Sequence, residues 1–206
     1  MPLFHIGGVG WSLVMMNAGL SVVLMREVDP LAMLRAVQQL KVSQLFVVPV
    51  ILGAMLGCMQ KGQFDVQSLR HVFYGASPIN SSLLEQARSC LPCGLVQVYG
   101  LTEATGTLSV LTDADHRTGS EERLRSCGRA ADGIEIRIVD DKGRAVPPRT
   151  MGEIICRSAQ TMNAYFGQPE ATAQAIRDGW LYTGDAGYLD EEGYLYICDR
   201  VKDMII

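Results

Sequence analysis

Between residues 20 and 110, short apolar runs alternate with helix-like stretches, and this alternation limits the chain to few architectures. "LSVVLM" is followed by "DPLAMLRAVQQL", then by "QLFVVP", a helical stretch from about Pro49 to Gln60, "RHVFYG", "NSSLLEQARSC" and "LVQVYG". Strands separated by helices of this length form a parallel sheet with crossover helices. The first helix carries its own start signal, Asp29 as N-cap and Pro30 at the first helical position, with Leu31, Leu34, Val37 and Leu40 on one face. After residue 125 the period becomes two: Ile134, Ile136 and Ile138 alternate with Glu135 and Arg137, "DDKG" turns the chain, "GEIICRS" runs back, and a further hairpin turns around residues 191–193. The fold class is therefore α/β, a parallel sheet with crossover helices followed by a smaller antiparallel β-sheet or distorted barrel. Boundaries are expected at residues 1–115, 116–198 and 199–206, with the polar stretch 112–126 as linker.

Composition removes several classes of function. A chain of 206 residues with 48% apolar and 19% charged residues buries a core, and disorder is excluded. The net charge is −4 and no Lys/Arg stripe is present, which argues against nucleic acid as a partner. The six cysteines read as reduced cytosolic thiols, and "CLPC" at 90–93 has no second CxxC to complete a zinc site. Residues 4–25 contain no Asp, Glu, Lys or Arg, yet four glycines, His5 and Asn17 make a poor lipid-facing helix. "AGLSVVLM" at 18–25 reads instead as a turn and a buried β-strand, so no transmembrane segment is expected.

In open parallel sheets ligands sit beyond the carboxyl ends of strands, and two strands here end in chemistry: "FYGASPI" at 73–79 and "VYGLTEATG" at 98–106. Gly75, Ala76 and Gly100 allow backbone to approach a flat ligand, Tyr99 can stack on it, and Thr102 can donate to a phosphoryl oxygen. A carboxylate at Glu103 beside phosphates makes sense chiefly as a Mg²⁺ ligand. The same residues also fit an aromatic core strand closed by a capping Thr–Glu pair. A second cluster lies in "WLYTGDAGYLD" and "LYICDRVKD". There Asp185 can accept from both hydroxyls of a ribose, with Arg200 as a nearby donor fork, or the two are a turn aspartate and a surface ion pair.

Taken together, "PLFHIGG", "FYGASPI", "VYGLTEATG" and "GWLYTGDAGYLDEEGYLYICDRVKDMII" resemble, in order and spacing, the motifs of the AMP-forming acyl-CoA synthetases of the adenylate-forming superfamily. The resemblance implies that Gly75, Ala76 and Ser77 line adenine, that Tyr99, Gly100 and Leu101 carry the nucleotide, and that Thr102 touches phosphate. It implies Glu103 on Mg²⁺, Asp185 and Arg200 on the ribose, Ile197 near the base, and Lys202 at the hinge to a C-terminal domain. His5 matches the mouth of the acyl pocket, for which Trp11, Met15, Phe73 and Gly100 offer wall.

The resemblance implies ATP, AMP, Mg²⁺ and coenzyme A as cofactors or co-substrates, and a small carboxylic acid as partner. The expected acid is a medium or long fatty acid, since Gly100 and Leu101 place no bulky tryptophan at that point. The family's phosphate loop, which precedes "PLFHIGG", and the C-terminal domain with its catalytic lysine are not in this sequence. The expectation is a middle fragment, inactive by itself. Alternatives are a non-catalytic nucleotide-binding remnant and an adenylation domain that loads a carrier protein.

Overall fold

The computed structural model describes residues 1–200, the last two by their backbone alone. It contains two compact units, residues 1–97 with 112–117, and residues 98–111 with those from 118 onward.

In the first unit, helix α1 (Ile6–Asn17) is followed by α2 (Pro30–Leu40), strand β1 (Gln44–Val47), α3 (Pro49–Lys61), β2 (His71–Gly75), α4 (Ser81–Cys90) and the start of β3 (Gly94–Leu101). β1 and β2 pair in parallel with Gln44 opposite His71 and Val47 opposite Tyr74. Local chemistry sets each helix start. The Asp29 carboxylate accepts from the amides of Leu31 at 2.8 Å and Ala32 at 3.2 Å, and Asn80 accepts from Leu83 N at 2.8 Å. α2 ends where Lys41 turns into the left-handed region at φ 51°. Of its expected apolar face only Leu34 and Val37 are buried, while Leu31 and Leu40 are exposed. Leu34, Leu52, Leu56 and Val72 form the unit's interior with Tyr74, and burial contributes roughly 1.5–3 kcal/mol for each of the aliphatic side chains.

Two expectations fail here. Residues 20–25 form no strand, and Leu20, Val23, Leu24 and Met25 are exposed. A β-branched run becomes a strand only where another strand satisfies its backbone, and no described strand pairs with this one. Residues 112–126 are no free linker, since they hold helix α5 (Asp113–Thr118) and a 3-10 turn at Arg123–Arg125. A reciprocal cap starts α5: Asp115 Oδ2 accepts from Thr112 N at 3.0 Å and from its hydroxyl at 2.6 Å, while Asp115 N donates to Thr112 Oγ1 at 3.2 Å. Through α5 the buried His116 reaches the Tyr74 hydroxyl, 2.7 Å from its Nε2.

The second unit takes the rest of β3, a 3-10 turn (Thr102–Ala104), β4 (Gly106–Leu111) and the short β5 (Arg129–Ala130), which pairs antiparallel with β4. β4 was not foreseen in the sequence. The antiparallel sheet runs in the order β10-β9-β7-β6, from β6 (Glu135–Val139), β7 (Gly152–Arg157), β9 (Trp180–Leu189) and β10 (Leu195–Arg200). Helix α6 (Pro169–Ala175) leads into β8 (Ile176–Arg177), which pairs with β9. The expected turn at 140–143 closes through Gly143 N to Asp140 O, and the expected hairpin joins β9 to β10. Ile138, Ile154 and Leu195 form one buried cluster, and Ala104, Leu108, Cys156 and Leu181 form another. No helix among the described residues is long and apolar enough to cross a membrane.

Candidate functional site

The second unit brings the "VYGLTE" and "TGD" segments together. Tyr99, on β3, donates its hydroxyl to Asp185 Oδ2 on β9 at 2.6 Å. Asp185 follows Gly184, whose φ of 74° suits glycine, and the Asp185 amide donates to Thr183 Oγ1 at 3.1 Å. Thr183 in turn donates to Ile154 O at 2.7 Å, so a two-step chain ties the aspartate's backbone to β7. Burial first, then the Asp185 carboxylate beside it, pushes the Tyr99 phenol far above its ordinary value, and it stays protonated. The Tyr99 ring packs against both buried clusters, and Ile197 lies against one of them. In the β9–β10 register Arg200 stands opposite Asp185.

Gly100 follows Tyr99 because nothing larger fits. A Cβ there would lie 1.8 Å from Gly106 O. Beyond it the chain folds into the 3-10 turn, with Thr102 exposed and Glu103 half-buried, and closes through Thr105 N to Thr102 O at 3.0 Å. Thr105 holds a φ of 53°, costly for a β-branched residue, and its hydroxyl donates to Gln160 O at 2.5 Å. Glu103 O accepts from Met162 N at 2.7 Å, and Glu103 Oε1 accepts from the Tyr165 hydroxyl at 2.8 Å. Burial and then the glutamate raise the Tyr165 phenol above its usual value. Leu101 packs beside the Ala104–Leu108 cluster. An open depression of about 480 Å³ lies beside Tyr165, lined also by Asn163, Gln168, Pro169, Thr172 and Ile176.

The first unit carries the other candidates. Gly75, Ala76 and Ser77 end β2, and Ala76 takes φ 63°, so the strand leaves the sheet abruptly. His5 is the N-cap of α1, its Nδ1 accepting from Gly7 N at 3.0 Å. Trp11 packs on Phe73 with ring centroids 4.6 Å apart and on Phe46 at 5.5 Å. Lys202 lies outside the described residues. Sequence reasoning missed Tyr165, Thr183 and Gln160, which hold Glu103, Asp185 and the turn in place. No periodicity marks any of them: Tyr165 and Gln160 act on Glu103 and Thr105 across 62 and 55 positions, and Thr183 reaches Ile154 across 29.

Among the described residues no cluster of three or more His, Cys, Asp or Glu could hold a metal unaided. This suits Mg²⁺, which keeps waters and phosphate oxygens as ligands and needs only one or two carboxylates. Among the described residues the side-chain donor to Glu103 is the Tyr165 hydroxyl, on Oε1.

A family model described as AMP-binding enzyme matches residues 1–166. Over its whole length the chain is 39% identical to fatty acid–[acyl-carrier-protein] ligase ScoC of Streptomyces coeruleorubidus, covering 40% of that protein. It is 38% identical to 2-succinylbenzoate–CoA ligase of Bacillus mycoides, covering 41% of it. The chain thus spans about two-fifths of the length of these curated relatives. Among solved structures, O-succinylbenzoate coenzyme A synthetase (MenE) of Bacillus subtilis in complex with ATP and magnesium ion matches all of this chain and 42% of its own, with a TM-score of 0.90 and 32% identity. The amide bond synthetase McbA of Marinactinospora thermotolerans matches with a TM-score of 0.92 and 35% identity over all of this chain and 42% of its own.

Proposed function

We propose, from the premise that this chain belongs to the AMP-binding enzyme family, that the whole protein activates a carboxylic acid with ATP and passes the acyl group to a thiol. The acid's oxygen attacks the α-phosphorus, the bond to the bridging oxygen breaks, and pyrophosphate leaves. The thiol of coenzyme A then attacks the acyl carbon and AMP departs. The observation that carries this reading is the bond from Tyr99 to Asp185, which unites the "VYGLTE" and "TGD" segments within one unit.

Asp185, its amide pinned by Thr183, accepts from the ribose hydroxyls, and Tyr99 keeps the carboxylate facing one way. Arg200 adds donors to the ribose and Ile197 packs near the base. Thr102 donates to the α-phosphate. Glu103 holds Mg²⁺, which when bound neutralises charge on the phosphates. Positioning reactants in line is the main contribution asked of these groups. Trp11 and Phe73 wall the acyl chain with His5 at its mouth, and Lys202 is the hinge. The acid is a medium- or long-chain fatty acid, and the protein works in the cytoplasm, where cysteines stay reduced.

A second reading concerns the acceptor. A relative 39% identical to this chain is described as a fatty acid–[acyl-carrier-protein] ligase, which supports a carrier-protein thiol in place of coenzyme A. The test is carboxylate-dependent ATP–pyrophosphate exchange by the whole protein, followed by acyl transfer to coenzyme A or to carrier protein. Exchange that requires the acid and disappears in Asp185→Ala is expected. A folded protein that binds AMP and shows no exchange with any acid would establish a nucleotide-binding remnant instead.

A further inference from the structure

Glu103 sits on a three-residue turn, and a turn by itself leaves both its backbone and its side chain free. Segment 160–165 removes the first freedom. Met162 N donates to Glu103 O at 2.7 Å, Thr105 donates to Gln160 O at 2.5 Å, and the Gln160 amide donates to Thr107 O at 2.8 Å. These bonds hold the turn and say nothing about the carboxylate, which still has three rotatable bonds and the entropy that goes with them. The Tyr165 hydroxyl removes that freedom by donating to Oε1 at 2.8 Å across 62 positions of chain.

We propose that Tyr165 is the positioning residue of the cation site, holding Oε1 of Glu103 so that Oε2 is presented to Mg²⁺. The proposal rests on the reading of Glu103 as the magnesium ligand. Mg²⁺ demands near-ideal geometry and takes few protein oxygens, so a carboxylate arriving already oriented spares it the cost of ordering the side chain. Partners behind a metal ligand typically carry 10–100-fold in metal affinity. The competing role for Tyr165 is to anchor the loop that borders the depression at residues 163–176. The two differ in one respect: an anchor acts whether or not Glu103 is ionised, whereas an orienting donor acts only through that carboxylate.

The experiment measures the dissociation constant of Mn²⁺ in the presence of ATP, by electron paramagnetic resonance, on the whole protein carrying Tyr165→Phe, Glu103→Gln, both, or neither. The Mg²⁺ concentration giving half-maximal exchange is measured alongside. Tyr165→Phe is expected to weaken Mn²⁺ binding about tenfold, to raise the Mg²⁺ requirement by the same factor, and to lower the rate at saturating Mg²⁺ by less. Added to Glu103→Gln it is expected to change the metal constant no further. Phe166→Ala, at a fully exposed neighbour, serves as the control with unchanged Mn²⁺ affinity.

Equal Mn²⁺ affinity in a folded Tyr165→Phe protein, with Glu103→Gln still weakened, overturns the inference and leaves the reading of Glu103 standing. Additive losses in the double variant overturn it in favour of a loop anchor. Full affinity in Glu103→Gln overturns both. If Tyr165→Phe does not fold, Tyr165→Gln, which keeps a donor, replaces it, and metal affinity closer to the parent than that of Tyr165→Leu is the supporting result.

Discussion

Tyr99 and Asp185 stand 86 positions apart and share a hydrogen bond of 2.6 Å, so each fixes the other's side chain at the junction of β3 and β9. Leaving the partly buried phenol without its acceptor would cost about 1 kcal/mol, and under the proposed function the bond helps to orient the carboxylate toward a ribose. Under the proposed function one bond serves both stability and nucleotide positioning.

Tyr99→Phe separates the two effects. It keeps the ring among the buried clusters and removes only the hydroxyl, so stability is expected to fall by about 1–2 kcal/mol. The Michaelis constant for ATP should rise more than the turnover number falls. Urea unfolding and exchange kinetics on the same preparation check this, and an unchanged ATP constant would leave the hydroxyl a packing role alone.

His116 gives a pH dependence whose sign follows from its surroundings. Its Nδ1 lies 2.8 Å from Thr112 O, which can only accept, so the neutral ring donates there and Nε2 accepts from Tyr74. Burial lowers its pKa, opposed by the Thr112 carbonyl, Asp113 and Asp115, with Arg88 adding to the fall. The unfolded chain then binds more protons than the folded one as pH drops below the usual histidine value of about 6.5, and stability falls with it. The urea midpoint should decline between pH 7.5 and 5.5 in the parent and decline less in His116→Gln. A midpoint rising on acidification would show that the ring is charged in the fold.

Much of this was legible because it is local. The cap at Asp29, proline at Pro30 and period-two alternation at 134–138 act over a few residues, and the structure keeps them. Residues 20–25 misled for the opposite reason: β-branched composition speaks for a strand, but a ladder needs a second chain segment that composition cannot supply. β4, "GTLSVL", carries small residues and was passed over, yet its register with β5 is set from outside itself. The same holds in the site. Tyr99, Glu103 and Asp185 stood out by chemistry, whereas Tyr165 acts only through a partner that folding brings near.

Gly100 tests how closely β3 and β4 must approach. Because a Cβ would fall 1.8 Å from the Gly106 carbonyl oxygen, Gly100→Ala forces backbone to move at the residue joining Tyr99 to the turn of Glu103. A loss of about 2–4 kcal/mol is expected, together with exchange activity reduced beyond what the unfolded fraction explains. Circular dichroism melting and activity per folded molecule decide it, and a variant of parental stability would show that the strands can separate at little cost.

The acid remains to be chosen from chemistry. Trp11, Phe46 and Phe73 form one aromatic group, the phenyl rings tilted at centroid distances of 5.5 and 4.6 Å from Trp11, so an apolar patch lies beside α1 where acetate would find nothing to hold. Each methylene of an alkyl chain buried on such a patch contributes about 0.8 kcal/mol, and four of them alone would favour a longer acid by about two orders of magnitude. The whole protein is therefore expected to turn over a fatty acid of intermediate length at least 100-fold faster than acetate, judged by kcat/KM. Trp11→Ala should narrow that ratio by raising the constant for the long acid, with acetate hardly affected. Acetate turned over as well as a fatty acid, or a ratio untouched by Trp11→Ala, would remove these rings from the acyl site and return them to the core of the first unit.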